Sequence, residues 1–308
     1  MTSLPVVETI REFSALDDDA IRHEVLSSGK PAVMRGLVRK WPAVNLSSPT
    51  AMVEYLRRFD NGTPVDAIMA PPEIEGRIFY DDVMNGFNFV RNKLPIGAIA
   101  EQVLRYSSFA RAPAVAAQSA LIPDCLPGFS AENALTVIDA AILPRIWLGN
   151  AITTPTHLDE WNNIGCVVSG RRRFTLFPPE QLVNLYIGPL DFAPTGAPLS
   201  LVSVREPDFA RFPKFREALA AALSAELGPG DALYIPPLWW HHVESLEPFN
   251  LLVNYWWHAA GGTATGTDSA FDALIHAMLN LRTLPPATRE AWRTMFEHYV
   301  FGVQAAVT

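Results

Sequence analysis

The chain has 308 residues, with 24 Lys plus Arg against 32 Asp plus Glu and a formal net charge of −8. At 49% hydrophobic and 18% charged residues it has the composition of a folded globular protein, which excludes disorder over most of its length. The acidic balance argues against a phosphate-tracking nucleic-acid binder, and no run approaches the ~18 apolar residues of a membrane helix.

The start, MTSLPVVETIREF, lacks the basic and then apolar pattern of a secretory signal, so a cytoplasmic location is expected. Cys125 and Cys166 lie far apart and form no CxxC pair, and both are expected to be small apolar fillers. Asp17 to Leu26 reads as a helix with acidic residues in its first turn, ended by Gly29 and Pro31. Ala32 to Val38 reads as a short strand. Ser48-Pro49 opens a second helix through Met52, Val53, Leu56 and Phe59, and Pro95 to Arg105 gives a third.

From about Gln118 to Trp257 the pattern changes to short β-type runs separated by Pro and Gly: ALTVIDAAIL, RIWLGN, IGCVVSG, RRFTLFP, DALYIP and NLLVNYWW. Such spacing predicts a β-sandwich or barrel. Tyr186 to Lys214 is long, Pro-rich and without period, the mark of a functional connection. After a Gly/Thr-rich break the chain turns helical again, with Phe271, Leu274, Ile275 and Met278 on one helix and Trp292, Met295, Phe296, Tyr299 and Val300 on another. The expected division is one domain over 1–260, with its barrel over about 118–257, and a helical segment over 261–308 that caps the barrel or pairs two copies.

The segment TTPTHLDEWNN carries the chemistry. Residues two apart on a strand point the same way, so His157 and Asp159 would present an imidazole and a carboxylate to one point. A third ligand would come from His241 or His242 in GPGDALYIPPLWWHHVES. Two His and one carboxylate make the facial triad of non-haem Fe(II) oxygenases. His23, His276 and His298 sit in polar helical contexts and read as structural or surface residues, and His258 has no partner apparent in the sequence.

TPTHLDE, GRRRFTLFPPEQ, RFPKF, GPGDALYIPPLWWHHVES and VNYWW, in this order, resemble the JmjC-type, cupin-like Fe(II)/2-oxoglutarate dioxygenases, and within them the factor-inhibiting-HIF-like protein hydroxylases and bacterial cupin-like proteins. The likeness runs from about Val33 to Trp257. It implies a mainly β fold, a double-stranded β-helix (jelly-roll) barrel with an N-terminal α/β elaboration and C-terminal helices. It also implies His157, Asp159 and His241 as iron ligands, with His242 a packed neighbour.

By the same likeness, Thr154 and Arg172 would hold the distal carboxylate of 2-oxoglutarate. Asn163, Asn254 and Trp256 would line its iron-chelating end, with Gln118 retained nearby. Two positions depart from the family pattern: Arg172 replaces a Lys, and Ala116 stands where a Tyr is frequent. Arg keeps the charge and can grip a carboxylate bidentately, while Arg171 and Arg173 should face the other way.

The implied function is an Fe(II)- and 2-oxoglutarate-dependent hydroxylase acting on a protein side chain or a small molecule. The alternative is a metal-containing cupin-like binding protein that turns over no 2-oxoglutarate. The C-terminal helices are expected to form a homodimer seam. Tyr80, in the Ile78 to Phe89 segment, divides evenly between core aromatic and substrate contact.

Overall fold

A computed structural model describes residues 7–194, 196–258 and 269–302. Two short strands, β1 (Glu8–Thr9) and β2 (Arg11–Ser14), precede an irregular helical stretch opened by Asp17, whose carboxylate accepts from the Ala20 N–H at 2.8 Å. Only Asp18–Ala20 is α-helical, and Ile21–Val25 is wound wider and Leu26–Ser28 tighter. Strand β3 (Ala32–Arg35) is shorter than the expected run, because Gly36 turns the chain at φ +71°.

The helix Pro49–Arg57 begins where Ser48 caps Ala51 N and proline occupies the first turn, which needs no N–H there. Two strands follow that the sequence did not announce, β4 (Val65–Ala70) and β5 (Val90–Leu94). Then come the helix Ile96–Tyr106 and β6 (Ala114–Leu121).

ALTVIDAAIL, expected as a strand, is an irregular turn. Its carbonyls are taken by side chains from distant segments: Trp41 Nε1 donates to Ala134 O, and Arg22 donates to Thr136 O and Val137 O. Asp139 folds the next residues into a turn by accepting from Ala141 N at 2.9 Å. A backbone satisfied this way has no need of a ladder.

The remaining strands are β7 (Pro144–Gly149), β8 (Thr153–His157), β9 (Asn162–Ser169), β10 (Arg172–Phe177), β11 (Leu223–Leu227), β12 (Ala232–Ile235), β13 (Trp240–Ser245) and β14 (Asn250–Trp257). They form two sheets, ordered β1-β11-β10-β13-β8 and β2-β3-β12-β9-β14-β7-β6-β4-β5. The architecture is a jelly-roll β-sandwich with helical extensions.

Alternation along β14 shows how the sheets use both faces. Leu251, Val253 and Tyr255 pack with Met52, Leu56, Ile99 and Val103 of the N-terminal helices. Leu252 joins Val33, Val167 and Leu233 against Phe174, Leu176, Leu227 and Val243 of the smaller sheet, forming the interior of the sandwich.

The hairpin between β9 and β10 turns at Gly170 with φ +75°, where a Cβ would lie 2.3 Å from Asn250 Oδ1. Asp231 of GPGD accepts from Gly36 N, Gly228 N and Arg35, tying the turn before β12 to the end of β3. Its role is structural.

The long connection after β10 folds back against β8: Ser200 N donates to Thr156 O, and Leu199 bridges His157. Tyr80 fastens this connection to the 78–89 segment. Its hydroxyl donates to Phe192 O at 2.7 Å, its ring lies against Phe87 and Phe192, and it is 3% exposed, so it is a core aromatic.

The chain divides into two compact units, Met1–Ala264 and Thr265–Thr308. The second unit holds the helices Ala270–Leu281 and Pro286–Phe296, continued by the wider turn Glu297–Phe301. None of these three segments has a buried residue. No helix among the described residues is long and apolar enough to cross a membrane.

Candidate metal centre

His157 is the last residue of β8, and His241, the second residue of β13, lies directly opposite it in the antiparallel ladder. Their rings stand 4.1 Å apart between centroids. Asp159 lies beyond the end of β8, so strand alternation does not place it. Instead its carbonyl accepts from Leu238 N at 2.9 Å, in the turn that leads into β13. Leu238 adopts a left-handed φ of 65°, a strained conformation for a branched residue, held by that turn.

The ligand atoms of His157, Asp159 and His241 all lie within 4.8 Å of one another, and no other such group of three occurs among the described residues. Each imidazole is oriented from behind. His157 Nδ1 contacts Pro155 O at 2.8 Å and His241 Nδ1 contacts Trp239 O at 3.0 Å. A carbonyl only accepts, so each Nδ1 carries a proton, and His241 Nε2 faces the Asp159 carboxylate 3.5 Å from Oδ2.

Burial, and then the neighbouring His241, push the His157 pKa down to about 4, so its ring is neutral near pH 7. Burial pushes the Asp159 carboxyl up, but the adjacent His241, 3.5 Å away, and then His157 outweigh it and hold the group below its usual value. Trp256 Nε1 acts in the same direction without reaching hydrogen-bonding geometry. Two imidazoles and a carboxylate, set on one side of a point, fit a divalent cation with open positions.

A chain of amides holds the carboxylate. Trp147 Nε1 donates to Asn254 Oδ1 at 2.7 Å, Asn254 Nδ2 to Asn163 Oδ1 at 3.1 Å, and Asn163 Nδ2 to Asp159 Oδ2 at 3.3 Å. Asn163, Asn254 and Trp256 therefore share the interior face, as the register Trp256↔Asn163 requires. Trp147 was not singled out in the sequence. Its place opposite Leu252 puts it on this face, and only the pairing of β7 with β14 reveals that.

Arg172, Phe174 and Leu176 of β10 face the same interior, with Leu176 opposite His241 and Arg172 opposite Ser245. Arg172 thus sits about 13 Å along the strand from the level of the imidazoles. It is 9% exposed, its Nε has no partner, and burial pushes its pKa down to about 10. Arg171 is exposed and Arg173 half-buried, and they are ion-paired to Glu247, Glu226 and Glu244.

Thr154, opposite Val243, lies on the interior face between these two levels. Ala116 is buried against Gly149, where a Cβ would come within 2.8 Å of its own Cβ. The pair is matched in size, and it supplies no donor. Gln118, partly buried, lies in the irregular stretch of β6.

His242 points away from His241, opposite Thr175 on the outer face, buried and with both ring nitrogens unpartnered. His258, without a partner in the sequence reading, meets Trp161 edge-on at 6.1 Å. His23, His276 and His298 are exposed.

A jelly roll with two imidazoles on adjoining strands and a carboxylate just beyond one of them brings together a set that could hold a metal ion. The chain belongs to the cupin-like domain family, which matches residues 18–262. Among curated proteins it is 34% identical to HSPB1-associated protein 1 of Homo sapiens over 149 residues, 48% of this chain and 30% of that protein. It is 34% identical to lysine-specific demethylase JMJ31 of Arabidopsis thaliana over 40% of this chain and 23% of that one. It is 27% identical to lysine-specific demethylase 8 of Xenopus tropicalis over 82% of this chain and 54% of that protein. The chain thus spans about half or less of the length of these relatives. They place it beside proteins named as lysine-specific demethylases and as JmjC-domain proteins.

Proposed function

We propose that the chain is an Fe(II)- and 2-oxoglutarate-dependent oxygenase that hydroxylates a protein side chain or a small molecule. The observation that carries this reading is a pairing within one sandwich interior. A preoriented His157–Asp159–His241 set lies at one level and the unpaired, buried guanidinium of Arg172 at another. A buried cation without a counter-ion is costly unless an anion joins it, and a dicarboxylate that also chelates the metal supplies one.

When bound, Fe(II) with 2-oxoglutarate and dioxygen supplies the oxidising chemistry. The chain's own part is positional. His157 and His241 offer Nε2 because Pro155 O and Trp239 O hold their Nδ1 protons. Asn163 keeps one Asp159 oxygen oriented. Arg172 and Thr154 anchor the distal carboxylate, and Trp256, between Trp147 and Trp161, walls the site against water. The relatives named as lysine demethylases bring N-methyl groups into the range of C–H bonds such a site attacks.

The buried Ala116–Gly149 pair, which removes one donor from the pocket, favours a second reading: a protein that binds metal without consuming the keto acid. Thermal unfolding with Mn(II) alone, and with Mn(II) plus 2-oxoglutarate, separates the two. The oxygenase reading expects a second, additive stabilisation, about 2.7 kcal/mol at a ligand concentration 100 times Kd. Stabilisation by metal with no further effect of 2-oxoglutarate supports the binding protein.

The C-terminal unit is proposed to pair with a second copy. Leu274, Leu279, Trp292, Met295, Tyr299 and Phe301 leave 44–71% of their surface exposed, an apolar load that a two-fold partner would cover.

A further inference from the structure

We propose that Arg145 is a specificity-determining residue of this site, and that it selects a substrate carrying a carboxylate next to the position attacked. The inference rests on the reading of the interior as the place where metal, keto acid and substrate meet.

Arg145 stands on β7 opposite Asn254, so its side chain shares the interior face with the amide chain that reaches Asp159. Its guanidinium lies over the Trp256 ring, 5.4 Å from the centroid. Trp256 in turn faces the Asp159 carboxylate. The cation is therefore one aromatic ring away from the proposed metal ligands.

Its aim is set by a local irregularity. The register between β6 and β7 slips between Ala117 and Ala120, and Ser119 takes a left-handed φ of 50° there. That turns Ser119 O and Oγ toward Arg145 Nη1, at 3.0 and 3.3 Å. One amino group is thus anchored. The Nε–Nη2 edge, the edge that grips a carboxylate bidentately, meets no hydrogen-bond acceptor and no ion-pair partner among the described residues.

Arg145 is half-buried, and burial disfavours its charge; Asp124 opposes this effect without forming an ion pair. Arg57, Arg58 and Arg173 are ion-paired to glutamates, whereas Arg145 has no such partner among the described residues. Arg145 is stacked on Trp256, anchored through Nη1 and left with an open Nε–Nη2 edge. Arg172 is the separate cation at the level assigned to 2-oxoglutarate. Against a net charge of −8, a local cation is what would draw an acidic group in.

The test uses the full chain saturated with Mn(II) and 2-oxoglutarate, with quenching of tryptophan fluorescence as the binding readout. N-acetyl-aspartate α-amide probes a side-chain carboxylate and N-acetyl-alanine a chain-terminal one, with N-acetyl-asparagine amide as the neutral control. At least one acid is expected to bind about 10- to 100-fold more tightly than the neutral amide, the range of a charge-assisted bond. Arg145→Gln should remove that preference, Arg145→Lys should restore part of it, and both should keep the wild-type thermal response to 2-oxoglutarate.

Equal or absent binding of acid and amide by the wild type, or a preference that survives Arg145→Gln, overturns the proposal. So does loss of the 2-oxoglutarate response in Arg145→Gln, which would make Arg145 part of the co-substrate pocket. A wild type that ignores 2-oxoglutarate but still prefers acids through Arg145 overturns the oxygenase reading and, with it, the position attacked, while supporting Arg145 as the residue that selects an acidic ligand.

Discussion

Asn163 and Arg172 do opposite kinds of work, and their variants separate them. Asn163 spends its amide on Asp159 and accepts from Asn254, so Asn163→Ala frees the carboxylate to rotate and strands the Asn254 amide. Partners that orient a metal ligand in this way typically contribute 10- to 100-fold in affinity. A loss of that size in Mn(II) affinity is expected by calorimetry. Arg172→Met removes a buried charge whose Nε has no partner among the described residues. The ligand-free variant is therefore expected to melt no lower than the wild type, while its stabilisation by 2-oxoglutarate disappears. A drop in ligand-free stability would mean that Arg172 has a structural partner.

The candidate set was only partly readable at this scale: the residues offered His157, Asp159 and either His241 or His242, and the family likeness chose His241, which the structure groups with the other two. Position was less readable. Asp159 reaches the site through the Leu238 N–H and the turn before β13, a contact across about 80 residues that no local spacing encodes. Arg145 left no signal at all, since its environment depends on a bulge in one strand and a ring from another.

Among the elements, the β9–β10 hairpin is the one that delivers Arg172. Its turn at Gly170 combines φ +75° with backbone and side-chain atoms that leave no room for a Cβ, Phe249 O at 2.6 Å among them. Gly170→Ala is expected to destabilise the fold by about 2–4 kcal/mol. Urea unfolding should show a lower midpoint with an unchanged slope. A shift under about 0.5 kcal/mol, the size of an ordinary surface substitution, would mean that the hairpin adjusts freely.

Elements were legible where both propensity and capping agreed, as at Ser48-Pro49 and along β14. They were lost where side chains replaced the ladder or where an edge was polar. ALTVIDAAIL has the apolar content of a strand, yet Trp41 and Arg22 occupy its carbonyls. VRNKL, forming β5 at the edge of the large sheet, is exposed along most of its length and carries no hydrophobic alternation.

For the whole molecule, the composition left open whether there were two ordinary domains or one large β-rich one. The chain divides into two compact units, Met1–Ala264, which holds the sandwich, and the C-terminal Thr265–Thr308. With the 44–71% exposure of its large apolar residues, the paired-copy proposal predicts a dimer for the full chain by light scattering. Truncation at Gly262 should give a monomer that keeps its Mn(II) affinity. A truncated chain that remains dimeric would move the interface to the sandwich.

The most direct test of the proposed site is an anaerobic crystal structure with Mn(II) and 2-oxoglutarate. The expected result is a metal on His157 Nε2, Asp159 and His241 Nε2, with the distal carboxylate of the keto acid on the Arg172 guanidinium. A metal held without His241, or a keto acid that leaves Arg172 unpaired, would contradict it.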